Sequence, residues 1–225
     1  MSSVENRAVI WDMDGTLVDT AEHHHVAWRN AALSAGREFS PDDFARTFGH
    51  RNPEIITYLF GNRIVGAAAE KLADRKEEEY RNAIKVHGVT LLAGARVLIE
   101  ALFAAGFKQA IGTSAPRANL EQILIQTRMR SFFQATVTGQ DTAKGKPDPE
   151  VFLTGSKLLG VSPSKCLVFE DAEAGVAAAK SAGMKCVAVC TGGHSTPDQL
   201  RAAGADLVIK NLEFIDVPSV VAFLK

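Results

Sequence analysis

The sequence predicts an α/β protein: a doubly wound parallel sheet with a Rossmann-like core, interrupted by an inserted helical cap domain. From residue 91 onward, strand-like and helix-like segments alternate, which is typical of a parallel sheet covered on both faces. Residues 18–90, directly after the first strand, show helical patterns and no convincing strand. The predicted domains are therefore an α/β core over 1–17 and 91–225 and a cap over 18–90.

The first elements follow from one apolar run and from helix-start signals. A buried strand is predicted over 7–11, and the turn-forming sequence Asp-Met-Asp-Gly ends it. A helix over 20–35 follows, with Thr20 as its N-cap, and Ser40-Pro41 begins the next helix. Two further helical patterns complete the cap and cover 53–60 and 64–85.

In the predicted core, apolar strands alternate with helices that begin at capping residues and end at glycines. Strands are predicted over 107–114, 134–139, 165–171, 184–193 and 205–209. Helices are predicted over 94–106, 118–129, 148–160 (with Asp148 as its cap), 172–183, from Thr196 onward and over 217–224.

Composition limits the classes of function. The chain has 25 Lys and Arg against 26 Asp and Glu, so no overall basic charge favours nucleic acid as a partner. No run of about 18 apolar residues predicts a membrane span, and no signal peptide is recognisable. Cys166, Cys186 and Cys190 show no CxxC spacing, which favours free thiols, although a zinc site from Cys190 and His194 stays open. We expect a cytoplasmic monomer.

Polar residues gather where the predicted strands end, and open parallel sheets bind ligands at this edge. Two aspartates follow the first strand, a Thr-Ser pair ends the second, and a Glu-Asp pair ends a later one, while a lysine lies in a loop before a helix. We expect this set to converge. Its members are Asp12, Asp14, Thr113, Ser114, Lys146, Glu170 and Asp171.

Several other motifs fail on spacing. For an EF-hand loop, Gly15 comes too early and the closing Glu is missing. For a P-loop, Gly139 and Gly145 are too far apart and Pro147 replaces the Ser or Thr. The sequence also has no GxSxG nucleophile elbow, and no GxGxxG follows the first strand.

The remaining set has the parts for phosphoryl transfer. Clustered carboxylates favour Mg²⁺, which pairs with substrate phosphate. A carboxylate can attack phosphorus and form an aspartyl-phosphate, provided that Mg²⁺ and a lysine reduce the repulsion between the two anions. A second carboxylate can protonate the leaving oxygen and then activate water. A small phosphorylated metabolite is the expected partner.

At this point the sequence resembles the haloacid dehalogenase superfamily of phosphatases and phosphomutases. The segment Asp12–Thr20 (DMDGTLVDT) resembles its first motif, and Thr113-Ser114 its second. Lys146 in GKPDPE resembles the third motif, and Glu170-Asp171 in VFEDAEAG the fourth. The resemblance covers nearly the whole chain and is strongest to the β-phosphoglucomutase-like branch, which has a helical cap in the same place.

The resemblance implies a role for each motif residue. Asp12 would be the nucleophile and a Mg²⁺ ligand, and Asp14 the general acid/base, with its backbone carbonyl on the metal. Thr113 and the backbone amide of Ser114 would hold the phosphoryl oxygens. Lys146 would offset the negative charge of the nucleophile and the phosphoryl group.

The fourth motif completes the implied metal site. Asp171 would bind Mg²⁺ directly, and Glu170 directly or through water. Lys144 is interpreted as a solvated lysine rather than the active one. True dehalogenases lack the second aspartate of the first motif, so Asp14 indicates phosphoryl chemistry.

Three consecutive histidines, His23, His24 and His25, cannot all face one metal, because successive helical residues point about 100° apart. In the β-phosphoglucomutase-like branch, a histidine follows the position of Thr20 by four residues, and here that residue is His24. We therefore expect His24 to contact the substrate or Asp14.

The cap segment TFGHRNP bears on the choice between phosphatase and mutase. The mutase pattern has a lysine before the glycine and an arginine three residues after it, whereas this chain has Phe48-Gly49 and places Arg51 two residues on. A mutase needs cationic residues in the cap to hold a bisphosphate, so this departure favours a phosphatase. The candidate substrate contacts in the cap are Thr20, His24, Gly49, His50 and Arg51.

Three functions stay open. The first is a Mg²⁺-dependent phosphatase that acts on a small phosphorylated metabolite, such as a sugar phosphate, through an aspartyl-phosphate. The second is a β-phosphoglucomutase-type sugar phosphomutase with the same chemistry. The third is a non-enzymatic module that binds a phosphometabolite, and the intact set of Asp12, Asp14, Lys146 and Asp171 argues against it.

Overall fold

The computed structural model describes residues 6–191 and 195–225. The strands are β1 (Ala8–Trp11), β2 (Val18–Asp19), β3 (Thr90–Leu91), β4 (Lys108–Gly112), β5 (Ala135–Val137), β6 (Cys166–Glu170), β7 (Lys185–Val189) and β8 (Leu207–Ile209). The helices are α1 (Ala21–Ser34), α2 (Pro41–Thr47), α3 (Asn52–Phe60), α4 (Ala67–His87), α5 (Ala95–Ala104), α6 (Arg117–Thr127), α7 (Glu150–Leu159), α8 (Glu173–Ser181), α9 (Pro197–Ala202) and α10 (Val217–Phe223). Within these residues, no helix has the length and apolar character that crossing a membrane requires.

The main sheet has six parallel strands in the order β5-β4-β1-β6-β7-β8. Strand β1 lies near its centre, and its continuous apolar sequence AVIW is buried along its whole length, as expected for a strand covered on both faces. The prediction of a doubly wound α/β fold with an inserted helical cap is confirmed.

The two faces of β1 supply two separate cores, because successive side chains of a strand point to opposite faces. Val9 and Trp11 join one apolar cluster, and Ala8 and Ile10 join the other. The indole of Trp11 stacks on Phe169 at 4.4 Å between ring centroids. This packing fixes the position at which β1 ends and the following loop begins.

The cap helices α1–α4 lie between β2 and β3 and bury a cluster of their own around Trp28, Ile55 and Leu59. Strands β2 and β3 pair antiparallel, with Val18 opposite Leu91, at the two crossings between core and cap. The expectation of no strand over 18–90 is therefore wrong at both ends, because a two-residue strand is too short to leave a periodic pattern.

Most predicted elements occur with ends shifted by a few residues. Ser40 caps α2 through a capping box with Asp43, and Thr196 does the same for α9 with Gln199. Thr20 precedes α1 but gives it no side-chain cap, because its hydroxyl donates to Asp14 instead.

The predicted cap at Asp148 is also displaced. Helix α7 begins only at Glu150, although an Asp148 carboxylate oxygen accepts from the Glu150 amide at 3.1 Å. The predicted strand over 184–193 ends at Val189 in the structure; its last two residues and His194 lie outside the described residues, so the zinc hypothesis stays a prediction.

Candidate active site

The sheet register brings the polar strand ends together. Trp11 of β1 lies opposite Ile111 of β4 and Phe169 of β6. Because these three strands are parallel neighbours, the residues that follow them meet at one edge. Asp12 comes directly after β1, and Glu170 is the last residue of β6. The convergence that the sequence predicts is therefore a direct consequence of strand order.

Three buried carboxylates form the centre of this edge. Asp12, Glu170 and Asp171 are 7%, 1% and 2% exposed, and each offers one oxygen within 4.8 Å of the others. Gly15, with a φ of +82°, lies so close to Asp171 that a Cβ at position 15 would overlap an Asp171 carboxylate oxygen. A donor set made only of carboxylate oxygens fits Mg²⁺ and suits softer metals poorly.

Lys146 is buried against this cluster. Its Nζ lies 2.5 Å from Asp12 Oδ1 and 2.6 Å from Glu170 Oε1, and the side chain is 1% exposed. Burial alone would lower the pKa of Lys146, but the two carboxylates raise it above its ordinary value, so the lysine is charged.

The charge balance of the cluster favours a divalent cation. The pKa of Asp12 is raised well above its ordinary value, first by burial and then by Glu170 and Asp171, against the lowering effect of Lys146. Three carboxylates and one lysine leave a deficit of two positive charges. A Mg²⁺ ion has that charge and would lower the pKa of Asp12 again.

Glu170 has most of its acceptor positions occupied by protein donors. Its Oε2 accepts from the backbone amides of Asp171 at 2.7 Å and Ala172 at 2.8 Å, and its Oε1 accepts from Lys146. These bonds hold the carboxylate in one orientation. They also leave Glu170 fewer free lone pairs for a metal than a carboxylate ordinarily has.

Thr113 and Ser114 follow β4 and line a cleft between the sheet edge and the cap. Asp12, Asp14 and His24 also line this cleft. Thr113 is 2% exposed, its amide donates to the Val137 carbonyl, and its hydroxyl accepts from the Ala115 amide at 3.1 Å. The hydroxyl proton of Thr113 therefore stays free to be donated to a ligand oxygen in the cleft.

Asp14 lies at the junction of core and cap. Its Oδ1 accepts from the Thr20 hydroxyl at 2.6 Å and from the Tyr80 hydroxyl at 3.1 Å, and His24 Nε2 lies 3.2 Å away. Burial alone would raise the pKa of Asp14, but His24 and the two hydroxyl donors lower it below its ordinary value. Asp14 is thus held ionised on the cap side.

Of the three consecutive histidines, His24 is the one that lines the cleft. Its ring stacks on Tyr80 at 4.1 Å, and its Nδ1 lies 2.9 Å from Lys76 Nζ. An ammonium can only donate, so Nδ1 accepts and the proton on Nε2 points to Asp14. His23 lies 6.5 Å from the His87 ring, and His25 packs on Phe44 at 5.2 Å.

Lys76 and Glu77 are cleft residues that the sequence analysis missed, because the segment KLADRKEEEYRNAIK shows a strongly charged helix face. In the structure the two side chains are 2% and 5% exposed, and Lys76 Nζ lies 2.8 Å from Glu77 Oε1. One signal was present: Lys76 occupies a stripe of i, i+4 positions whose other members are Leu72, Tyr80 and Ile84, all buried.

The remaining cap candidates divide into two groups. Gly49 and His50 line the cleft. Arg51 instead bonds Glu54 through Nε at 3.0 Å, and its Nη1 donates to the carbonyls of Thr142 at 3.2 Å and Ala143 at 3.3 Å. Arg51 therefore joins the N-terminus of α3 to a loop of the core.

The comparisons with known proteins agree with this arrangement. A parallel sheet with a carboxylate and lysine centre at its edge, covered by an inserted helical cap, defines a class of capped α/β hydrolases. The model of the family haloacid dehalogenase-like hydrolase matches residues 9–189. The chain belongs to this family, and it is an enzyme of the haloacid dehalogenase type.

Relatives and a solved structure cover almost the whole chain. A β-phosphoglucomutase of Bacillus subtilis is 37% identical over 91% of this chain and 89% of its own length. A phosphorylated carbohydrates phosphatase of Thermotoga maritima is 32% identical over 93% of this chain and 97% of its own. A crystal structure of a HAD hydrolase, family IA, variant 3, from Entamoeba histolytica superposes with a TM-score of 0.86 at 30% identity, covering 97% and 99% of the two chains.

Proposed function

We propose that this chain is a Mg²⁺-dependent phosphatase that hydrolyses a small phosphorylated metabolite of the sugar phosphate class through an aspartyl-phosphate. The observation that carries the proposal is the buried cluster of Asp12, Lys146, Glu170 and Asp171, with Asp14 held beside it at the edge of the cap. Relatives named as a carbohydrate phosphatase and a sugar-phosphate mutase support this substrate class.

In this proposal Asp12, Asp171 and the backbone carbonyl of Asp14 hold Mg²⁺. Glu170 acts through water, because protein donors occupy most of its oxygens. When bound, Mg²⁺ neutralises phosphate oxygens and so reduces their repulsion of the attacking carboxylate.

The chain's own residues perform the transfer. An Asp12 carboxylate oxygen forms a bond to phosphorus while the ester P–O bond breaks. Asp14, which takes up a proton as the phosphate dianion enters beside it, gives that proton to the leaving oxygen. Water then loses a proton to Asp14, attacks the phosphorus of the aspartyl-phosphate, and releases phosphate and free Asp12. The Thr113 hydroxyl, the Ser114 amide and Lys146 stabilise the charge on the equatorial oxygens.

The proposal includes the two domains, a core over 1–17 and 91–225 and a cap over 18–90. The pairing of β2 with β3 at both crossings supports these bounds. A cap over the sheet edge would exclude bulk water from the aspartyl-phosphate until the product forms.

A mutase is the second candidate, and the 37% identity to a named β-phosphoglucomutase favours it. It requires a cationic cap, whereas this chain has Phe48 in the cleft lining where the mutase pattern has lysine. Product analysis with β-glucose 1-phosphate separates the two functions. Free phosphate supports the phosphatase, and glucose 6-phosphate supports the mutase.

A panel of phosphate esters, assayed for phosphate release with Mg²⁺ and with chelator, tests the proposed activity itself. Release that depends on Mg²⁺ supports it. No release from any ester would favour the non-enzymatic module.

A further inference from the structure

A buried ion pair lines the cap side of the cleft. Lys76 and Glu77 come from α4, and both are among the residues that line the cleft together with Asp12 and Asp14. They neutralise each other at 2.8 Å between Lys76 Nζ and Glu77 Oε1. The pair lies outside the Asp12 cluster, so the phosphoryl-transfer steps above do not use it.

The charge of Lys76 is therefore not available to a second anion. Of the described residues that line this cleft, Lys76 is the single lysine or arginine. His50 also lines the cleft, and burial lowers its pKa below the ordinary value, which leaves it neutral near pH 7. The cap side thus carries no net positive charge.

Two arginines near the cleft form ion pairs with carboxylates of their own. The Arg51 guanidinium lies 2.5 Å from Glu54. Arg117, which follows the cleft residue Pro116, lies 2.5 Å from Asp141. Neither guanidinium contributes an unpaired charge to the cleft.

Glu77 can instead accept a hydroxyl. Its Oε1 accepts from Lys76 and, at 2.9 Å, from the Asn52 amide, and its Oε2 accepts from the Asn119 amide at 2.5 Å. A carboxylate has about four acceptor positions, so these three donors leave one. A sugar or polyol hydroxyl can occupy that position, whereas a phosphoryl group near pH 7 is mostly dianionic and offers mainly acceptor oxygens.

We propose that Glu77 is a specificity-determining residue, which selects a phosphate monoester with an uncharged, hydroxyl-bearing remainder and rejects a second phosphoryl group. The inference rests on the proposed function, because the first phosphoryl group is taken to lie at Asp12. A second phosphoryl group at the cap side would meet the Glu77 carboxylate without a free cation. Like-charge contact of this kind discriminates between ligands by repulsion.

The test compares the binding of fructose 6-phosphate and fructose 1,6-bisphosphate, which differ by one phosphoryl group. Isothermal titration calorimetry with Mg²⁺ uses the Asp12→Asn chain, so that neither ligand is consumed. We expect the monophosphate to bind about tenfold more tightly or better. Equal or tighter binding of the bisphosphate would overturn the inference, and this comparison requires no change at Glu77.

The second arm adds Glu77→Gln, which keeps the shape of the side chain, removes its charge and frees Lys76. We expect the preference for the monophosphate to shrink about tenfold. Glu78→Gln is the matched control on the exposed face of the same helix and should leave the preference unchanged. Circular dichroism checks that both variants fold, and an unchanged preference in folded Glu77→Gln would overturn the inference.

The failure of this inference is distinguishable from that of the proposed function. Phosphate release from the panel of phosphate esters by the unmodified chain tests the function alone. A chain that releases phosphate but binds both ligands equally would retain the function and lose the role of Glu77. A chain that prefers the monophosphate but releases no phosphate from any ester would lose the function and retain that role.

Discussion

His24 Nε2 lies 3.2 Å from Asp14 Oδ1, and this contact joins the first cap helix to the turn that follows β1. The Thr20 hydroxyl bonds the same oxygen at 2.6 Å and the Tyr80 hydroxyl at 3.1 Å, so three residues of the cap hold the proposed acid/base group. The position of the cap and the position of Asp14 are therefore linked through direct hydrogen bonds.

Replacement of His24 by Asn should lower kcat by about 10²-fold, a loss typical of a misplaced acid/base group. The matched control is His23→Asn, because His23 lies on the same helix and outside the cleft lining. We expect near-normal kcat for the control. Equal losses in both variants would show that the effect is structural rather than specific to Asp14.

Replacement of Asp12 by Asn should reduce phosphate release by about 10⁴-fold or more, since an amide cannot accept the phosphoryl group. Steady-state phosphate assays measure this loss, and calorimetry on the same variant shows whether substrate still binds. Normal turnover with Asn at this position would rule out Asp12 as the nucleophile.

Removal of divalent metal should abolish turnover, and added Mg²⁺ should restore it. Mg²⁺ at about 100 times its Kd should also stabilise the fold by about 2.7 kcal/mol, because only the folded chain assembles the three carboxylates. Thermal unfolding with and without Mg²⁺ measures this shift. Asp171→Asn should reduce it, whereas a shift of the same size in that variant would exclude Asp171 as a ligand.

Replacement of Arg51 by Ala should loosen the contact between the cap and the core loop, since its Nη1 donates to the carbonyls of Thr142 and Ala143. We expect a rise in KM of about tenfold together with faster limited proteolysis between the domains. Arg29→Ala, an exposed arginine on α1, is the control and should change neither. An unaltered KM and an unaltered rate of proteolysis in Arg51→Ala would show that Arg51 does not hold the cap against the core loop.

Glu77 should make stability depend on pH. Burial alone would raise its pKa, but Lys76, His24 and the Asn119 amide lower it from 4.5 to about 2. A lowered pKa means that the contribution to stability is fully present above pH 4.5 and is lost as the pH falls toward 2. The lost contribution is roughly 3 kcal/mol.

Urea unfolding at pH 7 and pH 3 tests this prediction. The difference in unfolding free energy between the unmodified chain and Glu77→Gln should narrow as the pH falls. For Glu78→Gln, the difference from the unmodified chain should stay small at both pH values. A gap for Glu77→Gln that is independent of pH would show that folding does not lower the pKa of Glu77.

The sequence was sufficient for the main sheet and for the residues at its edge. The apolar segment AVIW and the strands that follow it predict a parallel sheet, whose strands all end at the same edge. The structure adds that β1 and β6 are neighbours, which places Asp12 next to Glu170. The sequence was insufficient to predict strands β2 and β3, because a strand of two residues shows no periodic pattern. The donors to Asp14 were only partly foreseen: His24 was expected there, but Tyr80 was not.

The sequence by itself determined the fold class and the acidic edge, because alternation of strands and helices fixes which strand ends share one side of a sheet. Tertiary structure alone decided which polar residues of the cap are buried. Helical periodicity shows that Lys76 shares a face with Tyr80, but it does not show which element covers that face. The burial of Glu77 beside Asn119 of α6 and the turn of Arg51 toward the core loop depend on how the cap packs on the core, and that packing is a long-range property of the folded chain.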